Sequence, residues 1–297
     1  MKLFRKKDDL YLSDKQPLSI SGKILLVITY IILISWVVAI IWPLYQMVLS
    51  AFNGKQEQYL MLNDQFVFSL KHFKYLFKET LFLKWAKNTI FIALATAILT
   101  LIIVSFTGYA YSRYRFKGKK ASLMAMMLIQ AIPTFAGITA YFTMHSVISS
   151  INPGFTRQMM LVLIYAGGGI ANNTFILKGY IDSISTELDD AARIDGCSNL
   201  QVYRLIIMPI ARPMLALIAL WSFIGPFMDY LLPKVLLTSP ESYTLAAGLF
   251  TLINDVRTLN QPAFAAGGLL TAIPVVILFI VLQKQLGSGL SAGSVKG

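Results

Sequence analysis

Residues 88–120 read NTIFIALATAILTLIIVSFTGYAYS and then RYRFKGKK: a stretch with no charge, followed at once by a loop dense in Arg and Lys. An α-helix rises about 1.5 Å per residue, so about 20 apolar residues suffice to cross a bilayer. Asn88–Ser112 meets that length, and Arg113, Arg115, Lys117, Lys119 and Lys120 mark its end. Short basic loops stay on the cytoplasmic side, so this segment predicts a crossing helix whose C-terminal end lies inside. The loop itself reads as a topology anchor, with specific lipid binding as its other use.

Five more charge-free stretches flank this one: Ile24–Gly54, Ala121–Thr156, Gln158–Leu177, Pro213–Met228 and Thr258–Gln283. The Pro213–Met228 stretch is short, but its apolar pattern continues past Asp229 to Leu232. The expectation is an all-α, polytopic membrane protein with six transmembrane helices. The first stretch is too long for the core of a cleavable signal, and no small-x-small site follows it, so it reads as a retained anchor. With the amino terminus inside, the inner segments hold 17 Lys and Arg and the outer segments nine. Both termini are therefore expected in the cytoplasm. Residues 1–23 form an N-terminal cytoplasmic segment. Residues 24–84 hold the first span and a long outer loop, 85–284 the five-helix core with an inner loop at about 178–212, and 285–297 a cytoplasmic tail.

Composition agrees. Apolar residues make up 56% of the 297 and charged residues 13%, about half the usual charged share of a soluble domain. Disorder is excluded by the same figures. The single Cys197 cannot form an internal disulfide, and His72 and His145 give no metal-ligand spacing. The net charge of +12 would suggest nucleic acid in a soluble chain; in a membrane chain it reports sidedness, and no nucleic-acid partner is expected. No phosphate-binding Gly-rich loop is present, since Gly118-Lys-Lys lacks both the leading glycine and the hydroxyl. No catalytic constellation can be assembled, so no enzyme activity, metal or cofactor is expected.

Inside the spans, Asp229 is the one clear ionisable residue, with Lys234 nearby. It is either an interfacial carboxylate or a contact in a translocation path. Gln130 and Thr134 flank Pro133, and Asn172, Asn173 and Thr174 follow Gly167–Gly169. Helix packing and the lining of a polar path both account for such amides; Gln130, Asn172, Asn173 and Asp229 are the path candidates. Pro43, Pro133, Pro226 and Pro274 predict kinks in four spans. The outer loop 52–84 carries Lys71, Lys74 and Lys78 among aromatics, as an amphipathic interfacial helix would. The outer loop 237–261, with Tyr243, Phe250 and Asn254, exceeds a simple connection, and a passive interfacial hairpin is its plainer reading.

The inner loop 178–212 predicts two short helices. Thr186-x-x-Asp189 and Ser198-x-x-Gln201 fit capping boxes, Leu188, Ala191 and Ala192 fall on one face, and Gly196 follows as a C-terminal cap. Such a pair is either a rigid knob that another protein's groove admits or a hairpin lying on the bilayer. Glu187-Leu-Asp-Asp-Ala-Ala-Arg-Ile-Asp-Gly196 followed by Ile207-Met-Pro209 resembles the EAA loop of ABC importer permeases, with Asp190 at the glutamate position and Met208 at the leucine. Ser242–Leu249, Phe264-Ala-Ala-Gly267 and the tail Leu290–Gly297 are similar to permeases of carbohydrate importers, in particular the smaller permease of the maltose/maltodextrin type. The likeness covers about Asn88 to Gly297.

That resemblance implies a multi-pass bacterial or archaeal cell-membrane protein, a permease subunit of an ATP-driven oligosaccharide importer. Its implied partners are a second homologous permease, two ATPase subunits, an extracytoplasmic solute-binding protein and the lipid bilayer. Maltodextrin is the first choice of cargo, with a galactoside or raffinose type as the alternative. A secondary transporter or channel is the less favoured reading. The resemblance assigns Glu187, Asp190, Ala191, Ala192, Arg193, Asp195, Gly196 and Pro209 to ATPase coupling. It turns Tyr243, Phe250 and Asn254 toward the binding protein and the tail toward the ATPases.

Overall fold

The structure is a computed structural model that describes residues 19–55, 66–131, 134–255 and 259–293. Its described residues are helical apart from turns and one isolated bridge between Asn53 and Phe68. In chain order the helices are α1 Ile20–Phe52, α2 Lys71–Glu79, α3 Phe82–Arg113, α4 Lys119–Ile129, α5 Ile138–Ile151 and α6 Arg157–Asp182. They continue with α7 Glu187–Ile194, α8 Asn199–Ile210, α9 Arg212–Met228, α10 Leu231–Leu236, α11 Leu245–Phe250 and α12 Gln261–Gly293.

The chain divides into two compact units, residues 1–49 and 50–297. The first holds most of α1, an apolar helix with Pro43 inside it and Trp42 beside Tyr45. The second holds every other helix, and α3 and α6 pack most intimately within it. Their closeness comes from small side chains. A Cβ on Gly108 would lie 2.9 Å from Leu177 Cδ2, and the Thr107 and Thr174 hydroxyls bond across the crossing at 2.9 Å. Along α3 the buried positions include Thr89, Ala93, Thr96, Ala97 and Thr100, while Leu94, Ile98, Ile102 and Phe106 are exposed. Small residues inside and large apolar ones outside is the pattern of a helix packed in lipid.

Among the described residues, α1, α3, α6 and α12 through Leu286 are long and apolar enough to cross a membrane. The helices α8 and α9 meet that length and composition only when taken together, and they bend by 76° at Ala211. Two expectations are corrected. The stretch 121–156 is no single helix, because α4 ends at Ile129 and α5 begins at Ile138 after a 3-10 turn at Thr134–Gly137. Its eleven-residue α4 is about half the length a crossing needs. Pro133 falls outside the described residues. The fifth span does not run on to Leu232: it stops at Met228, where Asp229 turns extended and its carboxylate accepts the Leu231 and Leu232 N–H groups to start α10.

The amphipathic helix expected in the loop 52–84 is α2. It buries His72 and Leu76 and leaves Lys74 and Lys78 exposed. The His72 ring bonds the Asn53 carbonyl at 3.0 Å. Helix α12 continues through Gly293 and so takes in residues 285–293 of the expected tail; residues 294–297 lie outside the described ones.

Candidate functional site: the α7–α8 corner

Helix α6 ends with Lys178 paired to Asp182 one turn on, and Ser112 of α3 donates to the same carboxylate at 2.6 Å. The chain then turns through Ser183 and Ile184, whose N–H groups bond Tyr180 and Ile181 carbonyls. Helix α7 follows with Glu187, Asp189 and Asp190 in its first turn and Arg193 in its last, an order that complements the helix dipole.

The predicted Thr186–Asp189 capping box is absent. Thr186 makes no side-chain cap bond; Ser185 Oγ accepts the Glu187 N–H instead. Asp189 is turned inward, its Oδ2 3.0 Å from Arg113 Nε. The buried face of α7 is therefore Asp189 and Ala192, while Leu188 and Ala191 are exposed. Ala192 joins a core formed by Val104 and Tyr109 of α3, Leu177 and Ile181 of α6, Val202 and Ile207 of α8, and Ile218 of α9. So Ala192 packs inside this chain, and the alanine offered to the outside is Ala191. Asp190 and Arg193 form an exposed i, i+3 pair at 3.3 Å, the kind that adds little stability.

The corner at Gly196 is as the spacing predicts. Its φ is +85°, the Cys197 N–H reaches the Ala192 carbonyl at 2.9 Å, and the Gly196 N–H reaches Arg193 at 3.1 Å. That is a Schellman closure, which requires a left-handed residue and so favours glycine. Ser198 and Gln201 then form a complete capping box at the start of α8. Residues Val202–Ile207 wind as a π-helix ahead of Pro209, which has no N–H to donate. Tyr203 is fixed there by a 2.9 Å bond to Ser105 Oγ and by stacking on Phe106. The base of the corner is thus held to α3, whereas its tip is bare: Ile194 is 86% and Leu200 65% exposed. Sequence reasoning named the alanines and missed both. An apolar residue immediately before the Asp-Gly cap, beyond the buried i, i+3 face, was the signal that could have found Ile194.

The other predicted positions are dispersed. Gln130 is exposed at the end of α4, and Asn172 and Asn173 lie on α6; none of the three side-chain amides has a hydrogen-bond partner among the described residues. On α6, Gly167 and Gly168 open a groove of about 220 Å³ against Tyr141 and Met144 of α5, and none of the three amides lines it. Asp229 accepts from Tyr165 at 3.0 Å besides starting α10. In the loop 237–261, Tyr243 is buried beneath Lys234, Phe250 stacks on Tyr230 at 4.4 Å, and Asn254 is exposed. The loop is fastened to the start of α3. Trp85 Nε1 donates to Pro240 O at 2.8 Å, Asn88 to Glu241 O and Tyr243 O, and Thr89 Oγ1 accepts from Leu245. Those anchors sit at i, i+3 and i+4 of one helix face, a pattern readable in principle from the sequence.

Among the described residues the chain is all-α, with long apolar helices and a helical corner braced against α3 and α6. The family model described as binding-protein-dependent transport system inner membrane component matches residues 104–291, and the chain belongs to that family. The maltodextrin transport system permease protein MdxG of Bacillus subtilis (strain 168) is 44% identical over 269 residues, covering 91% of this chain and 95% of that protein. The galactooligosaccharides transport system permease protein GanQ of the same organism is 40% identical over 278 residues, covering 92% and 96%. A bacterial ABC transporter involved in the import of the acidic polysaccharide alginate has a chain that superposes with a TM-score of 0.75 at 22% identity, covering 91% of this chain and 99% of that one.

Proposed function

We propose that this chain is one of two homologous permeases of an ATP-driven importer, in which the α7–α8 corner receives the stroke of an ATPase subunit. One observation carries the reading: Ile194 and Leu200 are bare apolar side chains on a corner whose base is locked into the core of α3, α6 and α9. A surface hairpin on lipid needs no such bracing. A part that transmits force does. On this reading Asp190, Arg193 and Asp195 supply polar contacts around the apolar tip, Gly196 sets the corner angle and Pro209 ends the segment.

The rest of the reading follows the family. Both termini lie in the cytoplasm, the chain crosses six times with 121–156 as the broken crossing, and an extracytoplasmic binding protein delivers the sugar near Asn254. The path amides Gln130, Asn172 and Asn173 suit a neutral oligosaccharide, which calls for hydrogen bonding rather than counter-ions. Maltodextrin is the cargo supported by the 44% identity to MdxG. A galactooligosaccharide is the second reading, supported by the 40% identity to GanQ. Reconstitution with the partner permease, the ATPases and the binding protein tests it. Hydrolysis should rise with maltodextrin and not with galactooligosaccharide; the reverse selects the second cargo, and failure of the ATPases to assemble with this chain rejects the importer reading.

A further inference from the structure

Arg113 opens the basic loop that sequence takes for a topology anchor, yet its side chain is only 6% exposed, and that of Asp189 4%. The guanidinium reaches three places. Nε lies 3.0 Å from Asp189 Oδ2 on α7, Nη2 donates to the Ile184 carbonyl in the α6–α7 turn at 3.0 Å, and Nη1 lies 3.5 Å from Ser112 Oγ. Ser112 in turn donates to Asp182 at the end of α6. One buried cation therefore ties together the end of α3, the end of α6 and the first turn of α7.

Stability does not explain it. Burying two charges is expensive, and an apolar pair of similar size is often as stable or more so. The carboxylate is also incompletely satisfied, because the Nε contact lies off the N–H axis and neither Asp189 oxygen has a full hydrogen bond. Asp189 stands where a carboxylate would serve the first turn of α7 from outside, and it is turned inward instead. The other charges of α7, Glu187, Asp190 and Arg193, face outward, and the last two pair with each other.

We propose that Arg113 and Asp189 are positioning residues: a buried strut that makes α3, the α6 end and α7 move as one body, so that displacement of the corner is delivered to α3. This rests on the reading of the α7–α8 corner as the ATPase-docking element. The strut sets how much transport each hydrolysis yields, not whether the ATPase binds.

The test uses the whole complex in proteoliposomes, reading sugar moved per ATP hydrolysed and ATPase co-purification. Arg113→Gln with Asp189→Asn removes both charges and leaves no orphan. We expect this double variant to insert and retain the ATPases while sugar per ATP falls about tenfold, within the usual range of coupling between sites. Asp189→Asn alone, which strands the cation, should lose at least as much. A wild-type ratio in the double variant overturns the strut, and so does loss of ATPase binding in it, which would make the pair part of the docking surface. Ile194→Asp separates the two ideas. If it releases the ATPases while the double variant keeps a normal ratio, the docking reading stands and the strut falls. If Ile194→Asp binds them normally, the docking reading falls and the strut with it.

Discussion

The corner at Gly196 and the loop 237–255 are both connections between apolar helices, and they spend their side chains in opposite ways. The loop turns its groups inward: Trp85, Asn88 and Thr89 hold its backbone, and Leu237, Tyr243, Leu245 and Leu249 are buried. The corner buries its base through Ala192, Val202 and Ile207 and leaves Ile194 and Leu200 in the open. Backbone polar groups near a membrane must find partners, and bonds within the chain close the turn at Gly196 and the start of α11. What differs is the apolar surplus, and exposed apolar surface on a rigid base marks a place where a partner arrives.

The comparison breaks most sharply at the two adjacent alanines. Ala192→Trp forces a large ring into a filled core and should cost about 3 kcal/mol or more, read as loss of folded protein after detergent extraction. Ala191→Trp, one position away on the exposed face, should extract and melt as wild type while weakening ATPase capture. Equal behaviour of the two would erase the inward–outward distinction on α7. Gly196→Val comes next: a β-branched residue at φ +85° should cost about 2 kcal/mol and open the corner. Amide exchange should then quicken at Cys197 and Ser198 while α3 stays protected.

On the loop side, Asn88→Ala removes both of its bonds to the Glu241 and Tyr243 carbonyls. It should cost about 1–2 kcal/mol and raise protease cleavage between residues 237 and 255, with the α7–α8 segment unaffected. The smallest effect is expected for Asp190→Ala, where loss of the exposed pair with Arg193 should change the unfolding free energy by less than about 0.5 kcal/mol. Any effect on ATPase capture would then report contact with the partner rather than stability.

Much of this was legible because charge and apolar length are one-dimensional signals. The helices α1, α3, α6 and α12 follow from uninterrupted apolar runs, and the Gly196 and Ser198 caps follow from local chemistry within four residues. Three things were not. The inward turn of Asp189 depends on Arg113, 76 positions earlier, and a capping-box pattern cannot see a long-range partner. Tyr243 read as a loop aromatic because nothing local reports Lys234 closing over its ring. The division of 121–156 was hidden because both halves are uncharged and apolar; Pro133 gave the place, but not whether the helix would bend or end.

The central claim is that the bare tip of the corner meets an ATPase. A photo-crosslinking residue placed at Ile194 in the assembled complex tests it most directly, with the same residue at Asn254 as the opposite-end control. The account predicts that position 194 captures an ATPase subunit and position 254 never does. Capture of lipid alone from 194, with the ATPases present and bound, would contradict it and make the corner an interfacial hairpin.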